Sequence, residues 1–175
     1  MPLNTLEELT RSNRWREIAE SIVLRGQALP ASQDSFGTYW IVAGHRIREQ
    51  VADDCLLSKM LRRTLPPYDG GALILYRGEN LERWRAGALG FAWTKEIETA
   101  RMFGRGLNAV RTGGVLLRGT FAPNAIISGP NRHSRYLQEE QFTVDPFLAD
   151  SVQLIEQYPP ISVASTGASG CPTRS

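Results

Sequence analysis

The texture of this sequence changes once, after residue 71, and that change constrains the fold more than any other feature. Before it, apolar residues recur at helical spacing. After it, they come in short runs separated by glycine and proline. Helices gathered in the first third and strands in the rest read as an α+β arrangement, because each kind of layer must bury its apolar face on the other. We expect two or three N-terminal helices packed on a mixed, mostly antiparallel β core with a cleft. Residues 1–67 form the helical part and 71–146 the β-rich core of a single domain spanning 1–158. Residues 159–175, rich in Ser, Thr, Gly and Pro, read as a flexible C-terminal tail.

In the helical part, Thr5-Leu6-Glu7-Glu8 has the form of a capping box. Trp15, Ile18, Ala19, Ile22 and Val23 then repeat at helical spacing as far as Gly26. A longer helix is expected from near Tyr39 to Arg63, with Trp40, Gly44, Ile47, Val51 and Cys55 along its inward stripe. Leu65-Pro66-Pro67 stops it, since a residue before proline is pushed out of the α region. Tyr68-Asp69-Gly70-Gly71 forms a turn into Leu73-Ile74-Leu75-Tyr76-Arg77, a buried strand that Gly78 breaks. Gly90-Phe91-Ala92-Trp93-Thr94 reads as a strand running into a helix, with Thr94 as N-cap and Ile97, Ala100 and Phe103 inward. Val115–Phe121 and Ala125–Ile127 are further strands. Gly129–Arg135 is a polar loop, the second half of Tyr136–Pro146 is a strand, and Phe147 to Ile155 make a last short helix or strand.

The totals exclude several function classes. The 175 residues suffice for a sizeable core without staples. No apolar run approaches the roughly 18 residues of a membrane span, and the N-terminus lacks the order of a secretory signal, so a cytoplasmic protein is expected. Cys55 and Cys171 make no Cys-x-x-Cys pair, and His45 and His133 have no ligand-spaced neighbour, so no metal site is expected. A net charge of +2 does not by itself argue for nucleic-acid binding.

Chemistry concentrates in three segments. Tyr76-Arg77-Gly78 delivers an arginine, whose planar fork suits phosphate, to a strand end beside a glycine that lets a ligand approach backbone. Gly90-Phe91-Ala92-Trp93-Thr94 follows. Glu139-Glu140-Gln141-Phe142-Thr143-Val144-Asp145-Pro146 then ends the core with carboxylates and an amide. In this order the three segments resemble the ADP-ribosyltransferase superfamily, in its toxin-like branch with an Arg, a Ser-Thr-Ser strand and a Glu-x-Glu strand. The resemblance covers about residues 71 to 146.

What the resemblance implies is an enzyme that cleaves the nicotinamide–ribose bond of NAD and passes ADP-ribose to an acceptor. NAD is then the co-substrate. Arg77 would hold a phosphate, Gly78 backbone would meet the nicotinamide amide, Trp93 or Phe103 would pack near the ring, and Thr94 would stand at the end of the Ser-Thr-Ser motif. Glu139, Glu140 and Gln141 are the candidate catalytic residues, since a carboxylate beside the ribose favours an oxocarbenium-like transition state. The chain departs from the pattern twice. Ala92 occupies the place of the first serine, and counting back from Asp145-Pro146 puts Gln141 at the catalytic position with Glu139 upstream. Alternation would place Glu139, Gln141 and Thr143 on one strand face and Glu140, Phe142 and Val144 on the other. Three accounts of Gln141 remain open: a register slip to Gln138-x-Glu140, an introduced Glu→Gln exchange, or a member that binds without catalysis.

Arg132, His133 and Arg135, with Arg105, Arg111 and Arg118, are candidate acceptor contacts at the rim; an acceptor nucleic acid or protein is expected. An intracellular toxin or defence effector would need a neutralising antitoxin or immunity protein. The alternatives are an NAD glycohydrolase, with water as acceptor, and a non-catalytic binding module.

Overall fold

The structure, a computed structural model, describes residues 2–162. Four helices come first: α1 (Pro2–Arg11), α2 (Trp15–Arg25), α3 (Gln33–Val51) and α4 (Asp54–Thr64). Helix α1 starts ahead of Thr5, which therefore lies inside it and does not cap it. The single helix expected from Tyr39 to Arg63 is two. Helix α3 ends at Ala52, whose backbone is left-handed (φ 52°). Asp53 then caps α4, its carboxylate accepting the Leu56 N–H at 2.9 Å. Apolar residues recur on both sides of this elbow and hide the break; the Asp53-Asp54 pair is the local signal. Arg48 clamps the elbow through a forked pair to Asp54, at 2.8 and 2.7 Å.

The remaining elements build a sheet with three short helices. The strands are β1 (Leu73–Asn80), β2 (Ala92–Thr94), β3 (Gly114–Phe121), β4 (Ile126–Ser128), β5 (Gln141–Val144) and β6 (Ser151–Tyr158), and the helices are α5 (Leu81–Arg85), α6 (Ile97–Arg105) and α7 (Arg132–Tyr136). The sheet order is β4-β5-β2-β1-β3-β6. Every strand pair in it is antiparallel, so the sheet is not mixed. Segment 129–135, expected as a loop, contains α7, capped by Asn131 through the Ser134 N–H. Helix α6 is entered through Glu96; Thr94 belongs to β2, and its Oγ1 accepts the Glu96 N–H at 3.0 Å. The segment after Pro146 settles as a single 3-10 turn and then strand β6. Most of the expected tail lies outside the described residues, but Ile161 is tied to the body by a parallel bridge to Val110. No helix among the described residues is long and apolar enough to cross a membrane.

Two apolar clusters correspond to the two textures. Trp15, Phe36, Tyr39, Trp40, Ile47, Leu57 and Leu61 pack among the helices, joined by Phe91 and Ile127 from the β half. Leu75, Trp93, Val115, Leu117, Phe121, Phe142 and Val144 pack on one sheet face. Two buried hydrogen bonds pin β5 and its end to the helices. Trp40 Nε1 donates to Thr143 Oγ1 at 3.0 Å, and Ser58 Oγ to Asp145 Oδ2 at 2.5 Å. Their polar atoms would otherwise be buried without partners, which is costly.

Strand β1 does not end at Arg77. It pairs with β3 without interruption from Leu73 to Asn80. Gly78 is a contact point rather than a break: a Cβ there would collide with the backbone of Ala100 and Gly104 on α6. The helix thus lies directly on the strand, an approach that a side chain would forbid. The far edge of α6 is tied to β6, where Arg101 Nη2 reaches Glu156 at 2.6 Å.

Candidate functional site

Strand β2 pairs with β5 along its length, Ala92↔Thr143, Trp93↔Phe142 and Thr94↔Gln141, but with β1 only at Tyr76↔Thr94. Beside that single pair lies a cleft of about 240 Å³. Tyr76, Gly78, Thr94 and Gln141 line it from the sheet, and by strand alternation and register they share one face. Helix α6 contributes Thr99, Ala100 and Phe103, and α3 contributes Ile41; Asn108, Glu139, Arg77, Ala92 and Trp93 complete the lining. Residues from the three segments singled out in the sequence therefore meet in one place.

Arg77 borders this cleft but is not a free phosphate clamp at the lip of a sheet. Its Nε donates to Glu79 at 2.7 Å and its Nη1 to the Ala92 carbonyl at 2.6 Å. Glu79, only 1% exposed, also accepts the Gly90 N–H at 3.0 Å and the Asn80 N–H at 3.0 Å. Arg83 stands 3.4 Å from its other oxygen. Where backbone pairing between β1 and the β2 segment stops, the Arg77 and Glu79 side chains take over the cross-links. Glu79 had no signal in the sequence beyond its place two residues after Arg77, on the same strand face.

Burial pushes the Glu79 carboxyl up, but the charges of Arg77 and Arg83, with the hydrogen bonds from Arg77 and the Asn80 N–H, more than offset it; the group is held below its ordinary 4.5. A carboxyl with a lowered folded pKa contributes stability that is complete above its unfolded value and is lost as pH falls through the folded one. We therefore expect melting temperature to drop as pH falls below about 4.5, with a shallower drop for Glu79→Gln. Thermal unfolding across that range is the measurement; parallel acid limbs for the two proteins would reject the assignment.

The two aromatic candidates separate. Trp93 is 1% exposed, packs edge-on against Phe121 with ring centroids 4.9 Å apart, and donates Nε1 to the Gly90 carbonyl. Trp93 borders the cleft, but alternation turns its ring to the face opposite Thr94, into the core. Phe103 is half-buried and lines the cleft, as does Tyr76.

At the other wall, Glu139 and Gln141 line the cleft and Glu140 does not. Strand β5 begins only at Gln141, so the alternation expected through Glu139 and Glu140 does not extend to them. Gln138 and Glu140 both have left-handed backbone, φ 58° and 41°, on either side of Glu139. Such a conformation costs a non-glycine residue about 1–2 kcal/mol, and it breaks the two-residue alternation of a strand. Neither Gln138 nor Glu140 lines the cleft, whereas Glu139 and Gln141 both do.

Two larger grooves flank the cleft, and Gln141 and Ile41 line all three spaces. One, of about 800 Å³, is lined by Lys95, Arg132 and Arg135 together with Asp34, Asp69 and Tyr68. His133, half-buried in α7, does not line it. The other, of about 830 Å³, carries Arg48, Arg77, Arg83 and His45 against Glu49, Asp53 and Asp54. Burial, and the neighbouring charges of Arg48 and Arg77, pull the Arg83 pKa below its usual value, with Glu79 opposing. Arg105, Arg111 and Arg118 line none of these three spaces. Among the described residues, no group of three or more His, Cys, Asp and Glu side chains is placed to hold a metal ion. Comparison with known proteins finds no family model, curated protein or solved structure that matches this chain.

Proposed function

We propose that this chain is an NAD-dependent ADP-ribosyltransferase with the fold of that superfamily, a toxin or defence effector acting inside the cell on nucleic acid or protein. The observation that carries this reading is convergence: Gly78, Thr94, Phe103, Glu139 and Gln141, distant in sequence, line one cleft. At about 240 Å³ the cleft is smaller than the roughly 300–1,000 Å³ of pockets that bury a whole ligand, so it would take one end of NAD. The nicotinamide end suits it, with Phe103 beside the ring and Gly78 backbone near the amide. The rest of the molecule would extend into the groove carrying Arg77 and Arg83. Arg77 would then offer a phosphate only its Nη2, since its Nε and Nη1 are engaged.

Gln141 lines the cleft and both grooves, where ribose and acceptor would meet. The groove with Lys95, Arg132 and Arg135 would take the acceptor, and its basic side chains favour a nucleic acid. An enzyme of this kind would be paired with a neutralising protein in the cell that makes it. Glu139 is the carboxylate nearest the reaction in this reading, and Gln141 can hydrogen-bond a ribose hydroxyl but cannot offset positive charge.

The test is NAD turnover. We expect Gln141→Glu to release nicotinamide at least about 10²-fold faster than this sequence, the scale of a well-placed electrostatic group. Mass spectrometry of RNA, DNA and protein incubated with it should find added ADP-ribose. Release without transfer would instead mark an NAD glycohydrolase. A second reading, a binding module without catalysis, is favoured by Ala92 and Gln141 standing where the family has Ser and Glu. NAD binding without nicotinamide release from either protein would select it.

A further inference from the structure

The cleft already contains a primary carboxamide. Asn108, in the 3-10 turn Leu107–Ala109, donates from Nδ2 to the Gly78 carbonyl at 2.8 Å. At this position β1 has no ladder partner on β2, whose one pair with β1 is Tyr76↔Thr94. The Gly78 carbonyl therefore depends on a side chain for this donor. Around it stand the half-buried rings of Tyr76 and Phe103, which also line the cleft.

The turn does not need that hydrogen bond to keep its shape. The Asn108 carbonyl accepts from Asn80 Nδ2 at 3.1 Å. Ala109 is fixed on both sides of its peptide, donating to the Gly106 carbonyl at 2.9 Å and accepting from the Ile161 and Gly113 N–H groups at 3.0 and 3.2 Å. Asn108 itself is half-buried, and its side chain makes this one hydrogen bond among the described residues. Rotation about its side-chain bonds would release the Gly78 carbonyl and leave the backbone in place.

We propose that the Asn108 side chain is a built-in competitor: it occupies the position of a ligand's primary carboxamide, and an aromatic carboxamide enters the cleft by displacing it. This rests on the reading that the cleft takes the nicotinamide end of NAD. The incoming amide replaces one N–H···O=C bond with another, so the exchange is nearly balanced in hydrogen bonds. Asn108 thus holds affinity down and keeps the Gly78 carbonyl satisfied when no ligand is bound.

Nicotinamide and nicotinate, titrated calorimetrically into the wild type, Asn108→Ala and Asn108→Ser, test the proposal. Serine is too short to reach the carbonyl and gives a second variant should alanine impair folding, which thermal unfolding checks. Nicotinamide is expected to bind both variants about 3–10-fold more tightly than the wild type, the equivalent of one net hydrogen bond. Nicotinate, which has no N–H to donate, is expected to gain nothing. Equal or weaker nicotinamide binding by the variants, with clear binding by the wild type, would overturn the competitor and leave the NAD reading standing. A gain shared equally by nicotinate would also overturn it, since mere opening of space would then be the cause. Absence of binding of nicotinamide and NAD to all three proteins would overturn both readings.

Discussion

Arg77→Ala is expected to destabilise the protein by about 3–5 kcal/mol in the absence of any ligand. The reason lies in Glu79. Its carboxylate is buried, and Arg77 is the closest cation to it, at 2.7 Å. Removing one member of a buried pair leaves an uncompensated charge, which costs far more than losing an exposed ion pair. The change also removes the 2.6 Å bond to the Ala92 carbonyl, which cross-links β1 to the β2 segment. Arg83 cannot replace Arg77, because it stands farther away, is half exposed, and still sits against the charge of Arg48. In a domain of this size the loss corresponds to a melting-temperature shift on the order of 10 °C. Urea unfolding of the ligand-free protein measures it. The double variant Arg77→Ala/Glu79→Ala is expected to recover part of the loss, as coupled residues do. A change within about 0.5 kcal/mol, typical of a surface site, would show that Arg77 is free for ligand and that its bonding to Glu79 is worth little.

Gly78→Ala is expected to cost about 3 kcal/mol or more, at the upper end of overpacking penalties. The added methyl would meet backbone on α6, at Ala100 and Gly104, rather than a side chain that could swing aside. Helix α6 would have to lift off β1. It cannot do so freely, because Arg101 ties it to Glu156 on β6, and that ion pair with the Tyr158 hydroxyl holds the Glu156 carboxyl at about 2. Phe103, Thr99 and Ala100 line the cleft from α6, so the cleft would deform with the helix. Thermal unfolding and ligand titration together test this. Stability and affinity equal to the wild type would mean that α6 has more freedom over the strand than its packing indicates. The same substitution bears on the resemblance, since Gly78 has a sufficient structural reason to be glycine whether or not a ligand ever approaches it.

Much of the fold was legible because periodicity is local. The helical first third and β-rich remainder, the stop at Leu65-Pro66-Pro67, and the strands at Leu73, Ala92, Val115 and Gln141 follow from spacing and from Gly and Pro, whereas the fourth N-terminal helix and the short helices α5 and α7 do not. The break between α3 and α4 was hidden because apolar residues recur on both sides of Ala52; Cys55, expected on the inward stripe, is exposed, and α4 buries Leu57, Ser58, Met60 and Leu61 instead. The strand end at Arg77 was misplaced because a glycine after an apolar run looks like a terminator, whereas here it serves a helix that arrives twenty residues later. Of the candidate site, the meeting of Gly78, Thr94, Phe103, Glu139 and Gln141 was anticipated from motif order. The burial of the Trp93 ring, the partner of Arg77, the departure of Glu140 from the cleft and the presence of Asn108 were not.

These misses share a cause. A residue's type and its place in a strand are written in the chain, but its partner across the sheet is set by register and by which strands diverge. The sequence alone determined the two textures, the antiparallel-capable strands and the residue types available at each segment, since these depend on neighbours within a few positions. Only the tertiary structure decided that β2 and β1 share a single pair, that Glu79 is buried under Arg77, and that an asparagine amide sits on the Gly78 carbonyl. The first and last depend on contacts between residues 18 and 30 positions apart, and the second on two neighbours of one strand that turn to each other where β2 leaves β1; in each, burial and hydrogen-bond satisfaction, rather than local preference, select the arrangement.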